Sequence, residues 1–183
     1  QGVSSAASDV YKRQEDSNSN YVVDIAAIGD CASVAGCQVL FIQGQNTAYR
    51  VDVDSTSVGS ANLLTSDYLL TGQVATYAGI GYWSSDEGLL RYDVSNNTFL
   101  APWGSTGVNG VDNAPVAVVG DVLHMGLAGY GVARKDLATG EILTPLNSGN
   151  SIMNSNNIFA LEVNGNDLWI GTQLGGFIWD GSS

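Results

Sequence analysis

His124 is the single histidine of the 183-residue chain, and it stands between Leu123 and Met125 without a cysteine or acid at metal-ligand spacing. Metal and triad chemistry both need convergent partners, so a structural role is its reading, and we expect catalytic and metal-ligating residues to be none. The serines lack an elbow motif, and no Gly-rich phosphate loop opens a helix. Asp86-Glu87 and Asp52-Val53-Asp54 are carboxylate pairs of the kind that offer oxygen ligands to Ca²⁺. Solvated turn acids explain both pairs as well, and no cofactor is expected. Cys31 and Cys37 flank the small-residue interval Ala32-Ser33-Val34-Ala35-Gly36. That spacing fits no zinc motif, whereas a disulfide closing a hairpin suits an oxidising compartment. So small a ring stabilises by about 2–3 kcal/mol at best and pins one hairpin.

Trp83, Trp103, Trp169 and Trp179 invite a carbohydrate-stacking reading. Trp83, Trp169 and Trp179 lie in strand patterns and are expected to fill space between sheets. Trp103 follows Pro102 where a strand gives way to the loop 104–114, and it is the candidate stacking platform. That loop and its counterpart 147–157 are rich in Asn, Ser and Gly, which suits adaptable hydrogen bonding to a ligand. The candidate binding residues are therefore Trp103, Asn109, Asp112, Asn113, Asn154 and Asn156. A plain surface connection is the competing reading.

These residues need a scaffold, and composition bounds it. With 44% hydrophobic residues, 23 Gly and no apolar run of membrane-spanning length, the chain reads as globular, without membrane insertion. Eighteen acids against six bases give a net charge of -12, which repels phosphate backbones; nucleic acid is not an expected partner. The opening QGVSSAASDVYKRQ differs in charge from the rest of the chain and resembles translated sequencing-adapter read-through. Residues 1–14 are accordingly set aside as a non-native artefact. Without them, 17 acids and 4 bases leave a net of -13. Both ends read as cut, and we expect a fragment of a longer protein.

Self-comparison organises residues 15–183. Asp52, Asp93, Asp136 and Asp180 each close a strand pattern, at spacings of 41, 43 and 44 residues. Five residues before them stand Thr47, Gly88, Gly131 and Gly175, and two before the first three stand Arg50, Arg91 and Arg134. An Arg and Asp two apart on a strand emerge on one face, where they are placed to pair within or between sheets. A shift of 43 superposes Leu100 on Leu143, Pro102 on Pro145 and Ser105 on Ser148. Within the third copy the pattern predicts strands over 115–119, 122–127, 131–137 and 141–146, with Gly120-Asp121 and Ala138-Thr139-Gly140 as turns. Four short antiparallel strands repeated at this period describe β-propeller blades, here about 21–64, 73–104, 115–147 and 158–183. The expected fold is all-β, a propeller fragment of about four four-stranded blades, the last lacking its outermost strand.

Asn156-Asn157-Ile158-Phe159-Ala160-Leu161, then Leu168-Trp169-Ile170-Gly171-Thr172 and Gly175-Gly176-Phe177, together resemble the two-component regulator propeller repeat over about 25 residues. Leu123-His124-Met125-Gly126-Leu127 and Leu40-Phe41-Ile42-Gln43-Gly44 depart from it at the Trp position. The resemblance implies a non-catalytic sensor or recognition module outside the cytoplasm (periplasmic, extracellular or on the cell surface), in a larger signalling or surface protein. Its partner would be a small molecule, an oligosaccharide or a protein. Lys135-Asp136-Leu137-Ala138-Thr139-Gly140-Glu141 also looks like quinoprotein or streptogramin-lyase propeller repeats, which keeps a propeller enzyme open as an alternative. An adhesive or structural surface repeat protein is the third reading.

Overall fold

Apolar runs with period-two alternation, punctuated by Gly, Asn and Asp, satisfy their backbone polar groups by pairing as strands. The computed structural model describes residues 22–28, 38–44, 47–53, 57–65, 70–85, 88–103 and 114–181, and these contain fifteen strands and no helix. Blade 1 comprises β1 (Val22–Ile28), β2 (Gln38–Gly44), β3 (Thr47–Val53) and β4 (Asn62–Thr65). Blade 2 comprises β5 (Leu70–Tyr77), β6 (Ile80–Ser85), β7 (Gly88–Asp93) and β8 (Thr98–Trp103). Blade 3 comprises β9 (Val116–Val119), β10 (Val122–Leu127), β11 (Gly131–Asp136) and β12 (Ile142–Leu146). Blade 4 has three strands, β13 (Ile158–Asn164), β14 (Asp167–Thr172) and β15 (Gly175–Trp179). Each blade is an antiparallel meander, and the four form a four-blade β-propeller, as the repeat predicts. Innermost strands β1, β5, β9 and β13 surround a central cavity of about 270 Å³.

Because successive side chains on a strand point to opposite faces, each blade offers one face to the blade behind and one to the blade ahead. The first seam joins Val39, Phe41 and Ala48 of blade 1 to Val74, Trp83, Leu90 and Tyr92 of blade 2. The second packs Ala75, Tyr82 and Leu89 on Val116 and Leu123. The third packs Ala117, Val132 and Leu146 on Leu161, Leu168, Ile170 and Trp179. One register position recurs through these seams. Phe41 faces Arg50, Tyr82 faces Arg91, His124 faces Arg134, and Trp169 faces Ile178 across the two middle strands of successive blades.

Three sequence readings change here. Trp83 and Trp179 are buried between blades as expected, but Trp169 is 46% exposed, because it lies on the forward face of blade 4 and no described sheet covers that face. Arg and Asp pair as expected in blade 1, where Arg50 Nε donates to Asp52 Oδ1 at 2.8 Å. In blades 2 and 3 the two part company. Asp93 accepts from the Ser95 and Asn96 amides and Asp136 from the Ala138 and Thr139 amides, so these aspartates close turns. Arg91 and Arg134 lie instead over the rings of Trp103 and Trp179, at 4.2 and 4.5 Å from the centroids. Asp52 also sits one place further inside its hairpin, opposite Val39, whereas Asp93 and Asp136 face the first residues of β6 and β10.

Candidate functional site

The strand directions sort the connections into two ends. The turns within each blade's first hairpin, 78–79, 120–121 and 165–166, share one end with the turns 94–97 and 137–141. The Leu137 amide donates to the Asp121 carbonyl there. The blade-to-blade loop 147–157 shares the opposite end with the turns 128–130 and 173–174. Amides of Gly131 and Gln173 donate to the carbonyls of Asn156 and Asn157, at 3.0 and 3.1 Å, and knit that end together.

Among the described residues, charge divides along the same line. Asp52, Asp93, Asp121, Asp136, Glu141, Asp167 and Asp180 are seven of the nine described acids, and all lie at the turn end. The Ser95 hydroxyl and the Asn96 amides hold the Asp93 carboxyl down at about 2. The Thr139 backbone amide likewise depresses Asp136. Tyr77 donates its hydroxyl proton to Asp121. At the loop end, segments 128–130, 147–157 and 173–174 contain no charged residue, and Tyr130, Ile152 and Leu174 are exposed.

Loop 147–157 is held by its own asparagines, short side chains that mimic backbone turns. Asn147 Oδ1 accepts from the Gly149 amide, Asn150 Oδ1 from the Asn147 amide and Asn156 Oδ1 from the Ser148 amide, at 2.8 to 2.9 Å. Met153 is buried in the third seam and anchors the loop's middle. Asn156 is thereby spent on shaping the loop. Asn154 is exposed and, among the described residues, uncommitted. Asn109, Asp112 and Asn113 lie outside the described residues, as do Asp54, Asp86, Glu87, Cys31, Cys37 and residues 1–14. Trp103 ends β8 on the way into loop 104–114, and its half-buried ring lies in the second seam. There it meets Tyr82 at 6.0 Å, with Arg91 and Lys135 at 4.2 and 4.4 Å from its centroid. Sequence reasoning missed both cations, since neither is near Trp103 in the chain.

The central cavity is lined by Asp24, Gln73, Thr76, Glu162 and apolar residues of the inner strands. Asp24 Oδ2 is engaged by the Val74 amide at 2.9 Å, and the Thr76 hydroxyl donates to the Ala27 carbonyl. These bonds bind β1 to β5 around the axis. Among the described residues no three His, Cys, Asp or Glu side chains gather as a metal site. His124 is fully buried in the third seam. Burial, then the neighbouring Arg134 guanidinium, push its imidazole down to about 4. It is neutral at pH 7, with Nδ1 3.1 Å from the Val122 carbonyl.

No family model matches the chain, and no curated protein matches it. Solved structures do. The computationally designed Ika4 protein is similar at a TM-score of 0.57 and 13% identity, over 90% of this chain and 93% of that one. The extracellular domain of the hybrid two-component system BT4673 of B. thetaiotaomicron is similar at 0.61 and 15% identity, over 88% of this chain. BamB from Moraxella catarrhalis is similar at 0.54 and 16%, over 82% of this chain. The chain spans 20% of the BT4673 domain and 42% of BamB. At these identities the likeness establishes the fold: the chain is a β-propeller whose blade arrangement recurs in natural and designed proteins.

Proposed function

We propose that this propeller is a non-catalytic recognition module, an extracytoplasmic sensor domain within a larger signalling or surface protein. It binds an uncharged small molecule, oligosaccharide or protein surface at its loop end. One observation carries the reading: among the described residues, that end carries no charged side chain and exposes Tyr130, Ile152, Leu174 and Asn154. Amides with aromatic and aliphatic surface suit a neutral ligand, because none of these four side chains carries a charge that must be desolvated without a partner. The likeness to an extracellular domain of a two-component system supports the setting. Asn109, Asp112 and Asn113, from the connection that follows Trp103 in the sequence, are proposed as further contacts.

The test is a screen of the purified chain against neutral oligosaccharides and peptides, and then the substitutions Asn109→Ala, Asp112→Ala and Asn154→Ala. Each substitution is expected to weaken binding of a captured ligand about tenfold or more, the loss of a good hydrogen bond at a partly dry site. Affinity untouched by all three would move the site elsewhere. Turnover that survives them would favour a propeller enzyme.

A further inference from the structure

The position that pairs Phe41 with Arg50, Tyr82 with Arg91 and His124 with Arg134 is occupied in blade 4 by Trp169 and Ile178. In the first three blades the middle-strand residue is 0%, 4% and 0% exposed, because the next blade covers it; Trp169 and Ile178 are 46% and 50% exposed. Around them the face is flattened by Gly171 and Gly176, which pair with each other, and continued by Ala160. We propose that this face of blade 4 seats a further β-blade of the same repeat, one that presents an aliphatic face and no charged group.

Three observations choose that occupant. First, each occupied seam shows what covers this position, an apolar sheet face such as Val74 with Trp83 and Leu90, or Leu161 with Leu168 and Ile170. Second, Arg50 reaches into the next blade for the Val94 carbonyl and Asn97, and Arg134 for the Trp179 ring. Ile178 asks for no acceptor, so the covering sheet supplies apolar contact alone. Third, among the described residues blade 1 does not reach this face: the apolar residues of its own rear face, Leu40, Ile42 and Val51, cluster with Tyr49 and Val53 of the same blade. In blades 1 to 3 the third strand is also paired by a fourth, whereas the sheet of blade 4 ends at β15.

The repeat supplies its own test. Asp136 and Asp180 occupy equivalent sequence positions, so a copy of residues 137–180 joined after Asp180 adds a fourth strand to blade 4 and then a new three-stranded blade in register. Hydroxyl-radical footprinting read by mass spectrometry reports Trp169 and Ile178. The extended chain is expected to lower Trp169 oxidation at least fivefold relative to the 183-residue chain. Trp169→Lys with Ile178→Lys in the extended chain should remove the docking, seen as a return of the added blade to rapid amide exchange. Unchanged oxidation of Trp169 on extension would overturn the proposal. So would a 183-residue chain that sediments as a dimer with Trp169 protected, since a second copy would then be the occupant. If the extended chain is insoluble, the double substitution in the 183-residue chain decides. Loss of a fluorescent apolar dye with the unfolding midpoint unchanged supports a docking face, and a lowered midpoint places Trp169 in the chain's own core and overturns it.

Discussion

Phe41 meets Trp83 edge to face across the first seam, with ring centroids 4.8 Å apart and planes at 81°. Tyr92 adds a second edge contact to Phe41 at 5.9 Å, so blades 1 and 2 are joined by an aromatic cluster with almost no solvent access. The ring fits because residue 81 is glycine: a Cβ there would lie 2.7 Å from the Trp83 ring and 2.9 Å from the Phe41 ring. Phe41→Ala is expected to cost about 3–5 kcal/mol through lost burial and a residual cavity. Gly81→Ala, which overpacks the same space, is expected to cost about 1–3 kcal/mol. Urea unfolding measures both. A Gly81→Ala midpoint equal to the parent's would show that the seam has slack.

Gly131 and Gly175 start the third strands of blades 3 and 4 with φ of 93° and 130°, a region that favours glycine. Their surroundings differ. A Cβ on Gly131 would stand 2.2 Å from the Leu146 carbonyl oxygen, while one on Gly175 meets nothing within 4 Å. Gly175→Ala should therefore carry backbone strain alone, about 1–2 kcal/mol. Gly131→Ala should exceed it by about 1–3 kcal/mol, since backbone must move. Equal costs in thermal or urea unfolding would contradict the packing difference.

The repeat made the scaffold legible because its punctuation is physical. Gly88, Gly131 and Gly175 recur where the chain leaves the middle hairpin at positive φ, and Asp93 and Asp136 recur where a carboxylate must cap a turn. Residues fixed by local geometry leave a period in the sequence. What a side chain touches across a seam leaves none. Trp83 and Trp169 looked alike as strand tryptophans, yet one is buried against Phe41 in the first seam and the other faces outward, a difference made by the neighbouring blade. At the loop end, the asparagines could be seen as polar and adaptable. That Asn156 shapes the loop while Asn154 is left uncommitted depends on the fold of residues 147–157.

Cys31 and Cys37 are expected to form a disulfide in the native protein, joining the ends of a short interval between β1 and β2. Alkylation of the folded protein should add nothing at either residue before reduction and label both after it. Labelling of both thiols in oxidised, folded protein would refute the pairing. Loss of the bond by Cys31→Ser with Cys37→Ser is expected to cost about 2–3 kcal/mol, the entropy of a small loop.

The sharpest pH dependence between neutrality and pH 4 is assigned to His124. Its imidazole is fully buried in the third seam, faces Arg134 across the β10–β11 hairpin and lies 5.4 Å from the Trp179 ring. Lys135, the next residue along β11, is the other cation on these strands, and Asp180 comes after Trp179 at an exposed position. Protonation would place a second cation beside Arg134 in a site that already disfavours charge. The folded imidazole accordingly titrates at about 4, against 6.5 for the unfolded chain. The unfolded state therefore binds the extra proton first, and stability falls as pH drops below about 6.5 and levels off below about 4. The full difference amounts to about 3 kcal/mol, with about 2 kcal/mol lost by pH 5. Asp93 contributes in a separate window: its folded carboxyl is depressed, so its stabilisation is lost only as pH falls from the usual carboxylate range toward about 2. His124→Phe puts at this position the residue that Phe41 supplies in blade 1, and it removes the titration. Urea unfolding of both proteins at pH 7.5 and pH 5 tests the assignment. The parent should lose about 2 kcal/mol more than the variant over that interval. Parallel losses would place the acid sensitivity in other groups and leave His124 as an ordinary buried side chain.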